Sequence, residues 1–265
     1  LQNIPGFCGS THDWVSPTAT DNCDTLAVIS SHVSGSMFPT GTTTVDFEVI
    51  DLSGNSSVSS FEIIVEDIEA PEFTTVPTDF TASADVDQCG TAVTWAEATG
   101  TDNCEVSSIE YDRANGEFLG LGEYPVNATI TDIHGNSATQ QFVITVVDDT
   151  PPGITNMPAD ILLIADSGQC GSVATWSEPA STDNCSGELL ANNIISGSFF
   201  IVGDTQVSYV ATDVSGNTTT EIFTVTVVDN QAPTLENIPA DFTVSNDPGT
   251  CGAHVSWAVE SALDN

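Results

Sequence analysis

Hydrophobic residues along this chain follow a period of two, in short runs broken by turn-forming clusters. In "YPVNATITD" (124–132) Val126, Ala128 and Ile130 alternate with polar neighbours; "FTASA" (80–84), "AVTW" (92–95), "SSIEY" (107–111) and "ATQQFVITVVD" (138–148) are also rich in β-branched and aromatic residues. Successive side chains of a strand point to opposite faces, so the alternation predicts strands with one face buried. Gly, Asn, Asp and Pro separate the runs, and no stretch sustains a 3.6-residue apolar period, so helix is not predicted. About seven short antiparallel strands in some 80 residues is the pattern of a small two-sheet sandwich of immunoglobulin type.

The pattern itself recurs. Cys8, Cys89, Cys170 and Cys251 are spaced by 81 residues, as are Cys23, Cys104 and Cys185; Gly follows each first cysteine, and Trp14, Trp95, Trp176 and Trp257 stand six residues beyond it. A fixed period of this length means stacked modules. The predicted fold class is therefore all-β, tandem immunoglobulin-like β-sandwich repeats of 81 residues in a linear, rod-like array. An incomplete repeat spans 1–69, full repeats span 70–150 and 151–231, and 232–265 opens another. The chain reads as a fragment that starts and ends inside repeats of a longer protein. "LQNIP" (1–5) matches "LENIP" (235–239), yet two residues separate Pro5 from Cys8 where eleven separate Pro239 from Cys251. On that alignment about one strand is missing from the first repeat, through either a shorter repeat or a skipped segment.

Charge narrows the partners. One basic residue, Arg113, stands against 38 carboxylates, for a formal net charge of −37. Such a field excludes an electrostatic grip on nucleic acid or anionic lipid and makes cations the natural partners. The wealth of Val, Ile, Thr and Phe argues for a folded chain over a disordered acidic tail. No apolar run approaches the length of a membrane-spanning helix, and no signal peptide opens the chain.

Cysteines at constant spacing are read here as disulfides. The zinc alternative lacks C-x-x-C pairs, and His12, His32, His134 and His254 share no repeat position. The expected bridges are Cys8–Cys23, Cys89–Cys104 and Cys170–Cys185, one inside each repeat and beside the core Trp. Such bonds persist in an oxidising compartment, so the expected location is extracellular, at the cell surface.

The succession "QCGTAVTW" (88–95), "TDNC" (101–104), "TDIHGN" (131–136), "ITVVD" (144–148) and a proline-started segment at Pro151 recurs as "QCGSVATW", "TDNC", "TDVSGN" and "VTVVD" with Ala232-Pro233. It resembles the hyalin repeat, or HYR domain, over the whole chain. The resemblance implies immunoglobulin-like modules of extracellular proteins concerned with adhesion, in animals and in very large bacterial surface proteins. It implies a stalk or adhesin and names no active site.

Sandwich topology then locates the acidic motifs. The loop after the second strand and the loop before the last strand lie at the pole where the chain enters, and the previous repeat hands over its chain there. "TDNC", "TDIHGN" or "TDVSGN", and the linkers "VEDIEAP", "VVDDTPP" and "VVDNQAP" are therefore expected to converge. Oxygen ligands gathered from loops suit calcium, with its six to eight ligands, better than magnesium. The candidate ligands are Asp67, Glu69, Asp102, Asn103, Asp132 and Asn136 at the first junction. At the second they are Asp148, Asp149, Asp183, Asn184, Asp213 and Asn217, and at the third Asp229, Asp264 and Asn265. Calcium there is expected to fix the angle between repeats, giving a filament or stalk that holds a terminal module away from a cell, with neighbouring repeats, a surface ligand or other copies as further partners.

Other readings stand beside this one. Asp-x-Ser-Gly-Asn is also a good tight turn, with Gly54, Gly135 and Gly216 supplying φ > 0. No G-x-S-x-G, H-E-x-x-H or phosphate-binding glycine loop is present, so catalysis is not expected within this chain. The modules could instead be spacers of a secreted hydrolase, or recognise carbohydrate through "SFFIVG" (198–203), which reads more simply as a core strand. Asn55, Asn127, Asn184 and Asn217 open N-x-S/T sequons, "DTL" (24–26) resembles a short bacterial O-glycosylation motif, and the extreme acidity resembles that of marine or environmental bacterial surface proteins.

Overall fold

The computed structural model describes every residue except 24–26, 237, 259–260 and 265. Among the described residues all regular structure is β. The "DTL" segment and Asn265 lie outside them.

The second repeat shows the module at full length. One sheet orders its strands Val106–Tyr111, Gly122–Asp132, Ser137–Val147 and Phe80–Ser83, the last pair parallel and the others antiparallel. Facing it are the pairs Glu72–Thr75 with Thr99–Thr101 and Gly90–Ala92 with Phe118–Gly120. The alternation read from sequence is the one observed: Val126, Ala128 and Ile130 are fully buried, and so are Phe142, Ile144 and Val146 on the neighbouring strand. Trp95 packs edge-on against Phe142 and Tyr111. It closes the core of the repeat from the segment between the strands Gly90–Ala92 and Thr99–Thr101.

The same plan recurs on either side. In the third repeat the large sheet runs Ile161–Ile164, Thr218–Val228, Gly203–Thr212, Leu189–Asn192. There Trp176 packs on Phe200 and Phe223, and its Nε1 donates to Tyr209 Oη (2.6 Å), which donates to Glu178 Oε2 (2.6 Å). A buried tyrosine needs such a partner, because an unmet hydroxyl costs more than a met one gains. In the first repeat Ile29–Ser30, Gly41–Ile50 and Ser56–Val65 form the sheet, and Trp14 packs on Phe38, Phe47 and Phe61. "SFFIVG" is a core strand with Phe200 inside; Phe199 and Ile201 face out.

The expectation of a missing strand needs correcting. Gln2 bridges Glu66 in parallel, as Ser83 pairs with Val147 one repeat later. Residues 1–5 therefore stand at the end of the strand that leads into the first cysteine, not on the linker strand that "LENIP" would begin. The 81-residue register is unbroken and nothing is missing between Pro5 and Cys8. The glycine that follows each first cysteine has a steric basis. Gly9, Gly90 and Gly171 each open a strand where a Cβ would overlap the carbonyl oxygen of the facing strand, at Phe38, Leu119 and Phe200. The glycine is there because the backbones approach too closely for any side chain.

The chain divides into two compact units, Leu1–Ser83 with Gly90–Val147, and Ala84–Cys89 with Asp148–Asn265. The loop Ala84–Cys89, part of the second repeat by sequence, thus belongs with the third repeat.

Candidate functional site

The disulfides are Cys8–Cys104 and Cys89–Cys185, each spanning 96 residues. This overturns the expected Cys8–Cys23, Cys89–Cys104 and Cys170–Cys185 pairs. The physical reason is the alternation of poles. The first cysteine of a repeat lies in the loop that precedes a strand and the second in the loop that follows it, so the two sit at opposite ends of one sandwich. A bridge needs Cα atoms about 4.4–6.8 Å apart. The first cysteine meets that distance only with the second cysteine of the following repeat, at 4.6 Å and 4.7 Å. Each bridge therefore ties neighbouring repeats instead of stitching one.

The recurring Thr-Asp-Asn-Cys is the receiving half of this clasp, and each of its last three residues has a task. Asp102 Oδ2 accepts from Cys104 N (2.8 Å) and Asp183 Oδ2 from Cys185 N (3.0 Å), turning the chain so that the sulfur points outward from the loop. Asn103 Nδ2 donates to Phe7 O (3.2 Å), the carbonyl just before Cys8. Asn184 Nδ2 likewise donates to Gln88 O (3.4 Å), just before Cys89, and to Asp85 O (3.1 Å). The cysteine then closes the bond. Sequence reasoning missed the amide's role; the signal was present in the unvarying Asn before each second cysteine.

Beside each clasp three carboxylates converge. Oxygens of Asp67, Asp102 and Asp132 lie within 4.8 Å of one another in the first unit, and those of Asp148, Asp183 and Asp213 do so in the second. Asp67, Asp132, Asp148 and Asp213 are buried. Five buried oxygens here find no hydrogen-bond donor among the described residues: Asp67 Oδ2, Asp102 Oδ1, Asn103 Oδ1, Asp183 Oδ1 and Asn184 Oδ1. All five are acceptors, and all belong to the two junctions. Asp67 Oδ2 does lie 3.2 Å from His134 Nδ1, close enough for an ion pair if the ring is protonated but without hydrogen-bond geometry. In the second junction Ser215 Oγ fills the equivalent place and donates to Asp148 Oδ2 (3.2 Å).

The remaining candidates fall into different positions. Asn136 and Asn217 turn their amide nitrogens inward: each donates to the linker carbonyl (Asp67 O, 3.2 Å; Asp148 O, 3.1 Å) and to the carboxylate four residues before it (Asp132 Oδ2, 2.7 Å; Asp213 Oδ2, 2.8 Å). They act as struts between linker and turn. Glu69 Oε2 accepts from Gly6 N (2.8 Å) and Asn3 Nδ2 (3.3 Å), holding the loop that carries Cys8. Asp149, Asp229 and Asp264 are exposed and outside the two converging groups. Asp229 Oδ1 accepts from Gln231 N (2.9 Å), as Asp148 Oδ1 does from Thr150 N (3.2 Å).

Burial by itself would raise the carboxyls of Asp132 and Asp213, but the side-chain bonds from Asn136 and Asn217, with backbone N–H groups of the same turns, outweigh it and hold both below the ordinary value. A depressed folded value means that the stabilisation is complete above the unfolded carboxyl value of about 3.9 and is lost as pH falls through the lower folded one. Denaturant titrations from about pH 7 to pH 2 are expected to show this contribution intact at pH 5 and declining only below about pH 4. Its disappearance by pH 5 would contradict the assignment of these turns.

Three consecutive segments, 5–65, 66–146 and 147–227, match the family model of the HYR domain. The chain belongs to the HYR domain family. Its HYR repeats are similar to hyalin of Lytechinus variegatus, 33% identical over 98% of this chain and 51% of that protein, and to hyalin of Strongylocentrotus purpuratus, 31% identical over 95% of this chain and 22% of that protein. The chain thus spans about half of the first relative's length and about a fifth of the second's. A bacterial relative, the serine-rich adhesin for platelets of Staphylococcus aureus (strain N315), is 31% identical over 47% of this chain and 6% of that protein. Among solved structures, Drosophila N-cadherin EC1-3 covers 86% of the HYR chain and 96% of its own at 13% identity, with a TM-score of 0.33.

Proposed function

We propose that this chain is a segment of an extracellular adhesion-type stalk whose repeat junctions bind calcium. The observation that carries the reading is the set of orphaned buried oxygens. Asp67, Asp102, Asn103 and Asp132 at one junction, and Asp148, Asp183, Asn184 and Asp213 at the other, gather acceptors, five of which meet no donor among the described residues. Buried acceptors left unmet are costly, and buried like charges more so. A hard divalent cation relieves both, and four side-chain oxygens leave room for water and backbone carbonyls to complete calcium's shell. Asn136 and Asn217 hold linker and turn in place around the ion. With the disulfide alongside, calcium stiffens each junction, the property a stalk under load requires. The Staphylococcus aureus relative is named an adhesin for platelets, which supports the class.

Plain turn chemistry explains Gly135 and Gly216, with φ of 95° and 93°, without any metal. It does not explain carboxylates brought together from three separate loops. Calorimetric titration of the oxidised chain is expected to give two calcium ions per molecule with dissociation constants of about 0.1–1 mM, in the range of extracellular modules. Scattering profiles should change on binding and revert with chelator. Absence of heat and of any change at several millimolar calcium would return the acidic loops to the status of turns.

A further inference from the structure

The turn that reaches the linker reads Asp-x-Ser-Gly-Asn in the first and third repeats, at 51–55 and 213–217, but Asp-x-His-Gly-Asn in the second, at 132–136. The odd residue stands where the chemistry is. Ser215 Oγ donates to Asp148 Oδ2 (3.2 Å) and so meets the linker carboxylate of its junction. His134 faces the same atom of the equivalent residue, with Nδ1 3.2 Å from Asp67 Oδ2, yet forms no hydrogen bond with it. The Asp67 side chain is 0% exposed, and that oxygen meets no other donor among the described residues. An imidazole in place of a hydroxyl therefore leaves the linker carboxylate with an unmet buried oxygen at the first junction and not at the second. Such a loss costs more than a single hydrogen bond gains.

A metal ion resolves it. Two donors about 2.0–2.1 Å from a tetrahedral ion stand about 3.3 Å apart, close to the 3.2 Å observed. A protonated ring would aim an N–H at the carboxylate and make the bond that is missing here, whereas a neutral ring can offer the Nδ1 lone pair. The turn fixes the ring's place, since His134 N donates to Asp132 Oδ1 (2.8 Å). Asp67 is common to both converging groups of this junction, one with Asp102 and Asp132 and one with His134 and Cys104. Cys104 is no ligand, because its sulfur is bonded to Cys8. Of the four histidines, His134 alone stands in such a group among the described residues. Imidazole suits zinc and its neighbours in the transition series, while calcium and magnesium take oxygen.

We propose, resting on the reading of both junctions as cation sites, that the first takes a divalent transition-metal ion of the zinc class. His134 Nδ1 and Asp67 Oδ2 bind it, with the carboxylates of Asp102 and Asp132 gathered beside them. The second junction, where Ser215 replaces the imidazole, takes hard cations only. An ion at the first ties the linker, through Asp67, to the turn before the last strand of the second repeat, through His134.

The test is calorimetric titration of the full 265-residue chain with zinc chloride, with and without several millimolar calcium, after alkylation of the free thiols Cys23, Cys170 and Cys251. One zinc ion per molecule is expected to bind in both conditions, shifting the imidazole resonances of His134 in nuclear magnetic resonance spectra. His134→Ser, which installs the residue that the other repeats carry, should weaken zinc by about ten- to a hundredfold, the range that loss of even an outer-shell partner produces. Its calcium uptake should match that of the unmodified sequence. His254→Ser, at an exposed histidine, should change nothing. Zinc affinity indifferent to His134→Ser, equal loss in His254→Ser, or calcium bound without any uptake of zinc each overturn the proposal and leave the calcium reading standing. Zinc held through His134 in a chain that takes up no calcium overturns the calcium reading alone, and uptake of neither ion overturns both.

Discussion

Cys104→Ser is expected to destabilise the first unit by about 4–5 kcal/mol, since the bridge it removes closes a loop of roughly 100 residues in the unfolded chain. A bridge inside one repeat would close a loop of about 15 residues and be worth about 3 kcal/mol. The chemical readout separates the two pairings more sharply than the energy does. The substitution should leave Cys8 open to alkylation and Cys89 protected, because Cys89 is bonded to Cys185. If Cys89 becomes reactive, the bridge lay within the repeat. The individual sandwiches should survive the change, because their cores, such as Val126, Phe142 and Ile144 around Trp95, contain no cystine. The loss should appear as the separation of one cooperative transition into two.

Gly171→Ala should cost about 3 kcal/mol, at the upper end for forcing a methyl into packed space. Its Cβ would meet the Phe200 carbonyl and the Phe199 ring, and a carbonyl in a paired strand has nowhere to move. Gly153→Ala is the control. There the nearest atoms would be 3.6 Å and 3.7 Å away, ordinary contact, and the change should stay within about 0.5 kcal/mol. Thermal melts of both variants check the pair. Equal losses would mean that glycine flexibility, and not the close approach of strands, is what the Cys-Gly position requires.

What the sequence made legible follows from what its periodicities encode. Strand alternation put Val126, Ala128 and Ile130 inside because a period of two has only two phases, and one of them is apolar. The convergence of Asp67, Asp102 and Asp132 followed from strand count alone, since loops at alternate ends of strands must share a pole. The cysteine pairing was not legible in the same way. Spacings of 15 and 96 differ by one repeat, so an 81-residue period is satisfied equally by Cys89 bonded to Cys104 and by Cys89 bonded to Cys185. Only the alternation of poles distinguishes them, because it puts Cys89 and Cys104 at opposite ends of one sandwich. Nor could residue type alone reveal how an amide meets a cluster: Asn103 and Asn184 leave their oxygens unmet, although Asn103 Nδ2 also donates to Asp67 Oδ1 (3.2 Å), whereas Asn136 and Asn217 donate to the linker carbonyl and the turn carboxylate.

The overlap of the two bridges sets how far this segment can be drawn out. Tension entering at Cys8 crosses directly to Cys104, returns along the fifteen residues to Cys89, and crosses again to Cys185. Even with every strand unzipped, that backbone can extend to only about 50 Å at 3.3–3.6 Å per residue. The rest of the polypeptide between Cys8 and Cys185 hangs as slack loops outside the line of force. Such a tether yields little length before a covalent bond must break, and one pulse of reductant would release the whole reserve at once.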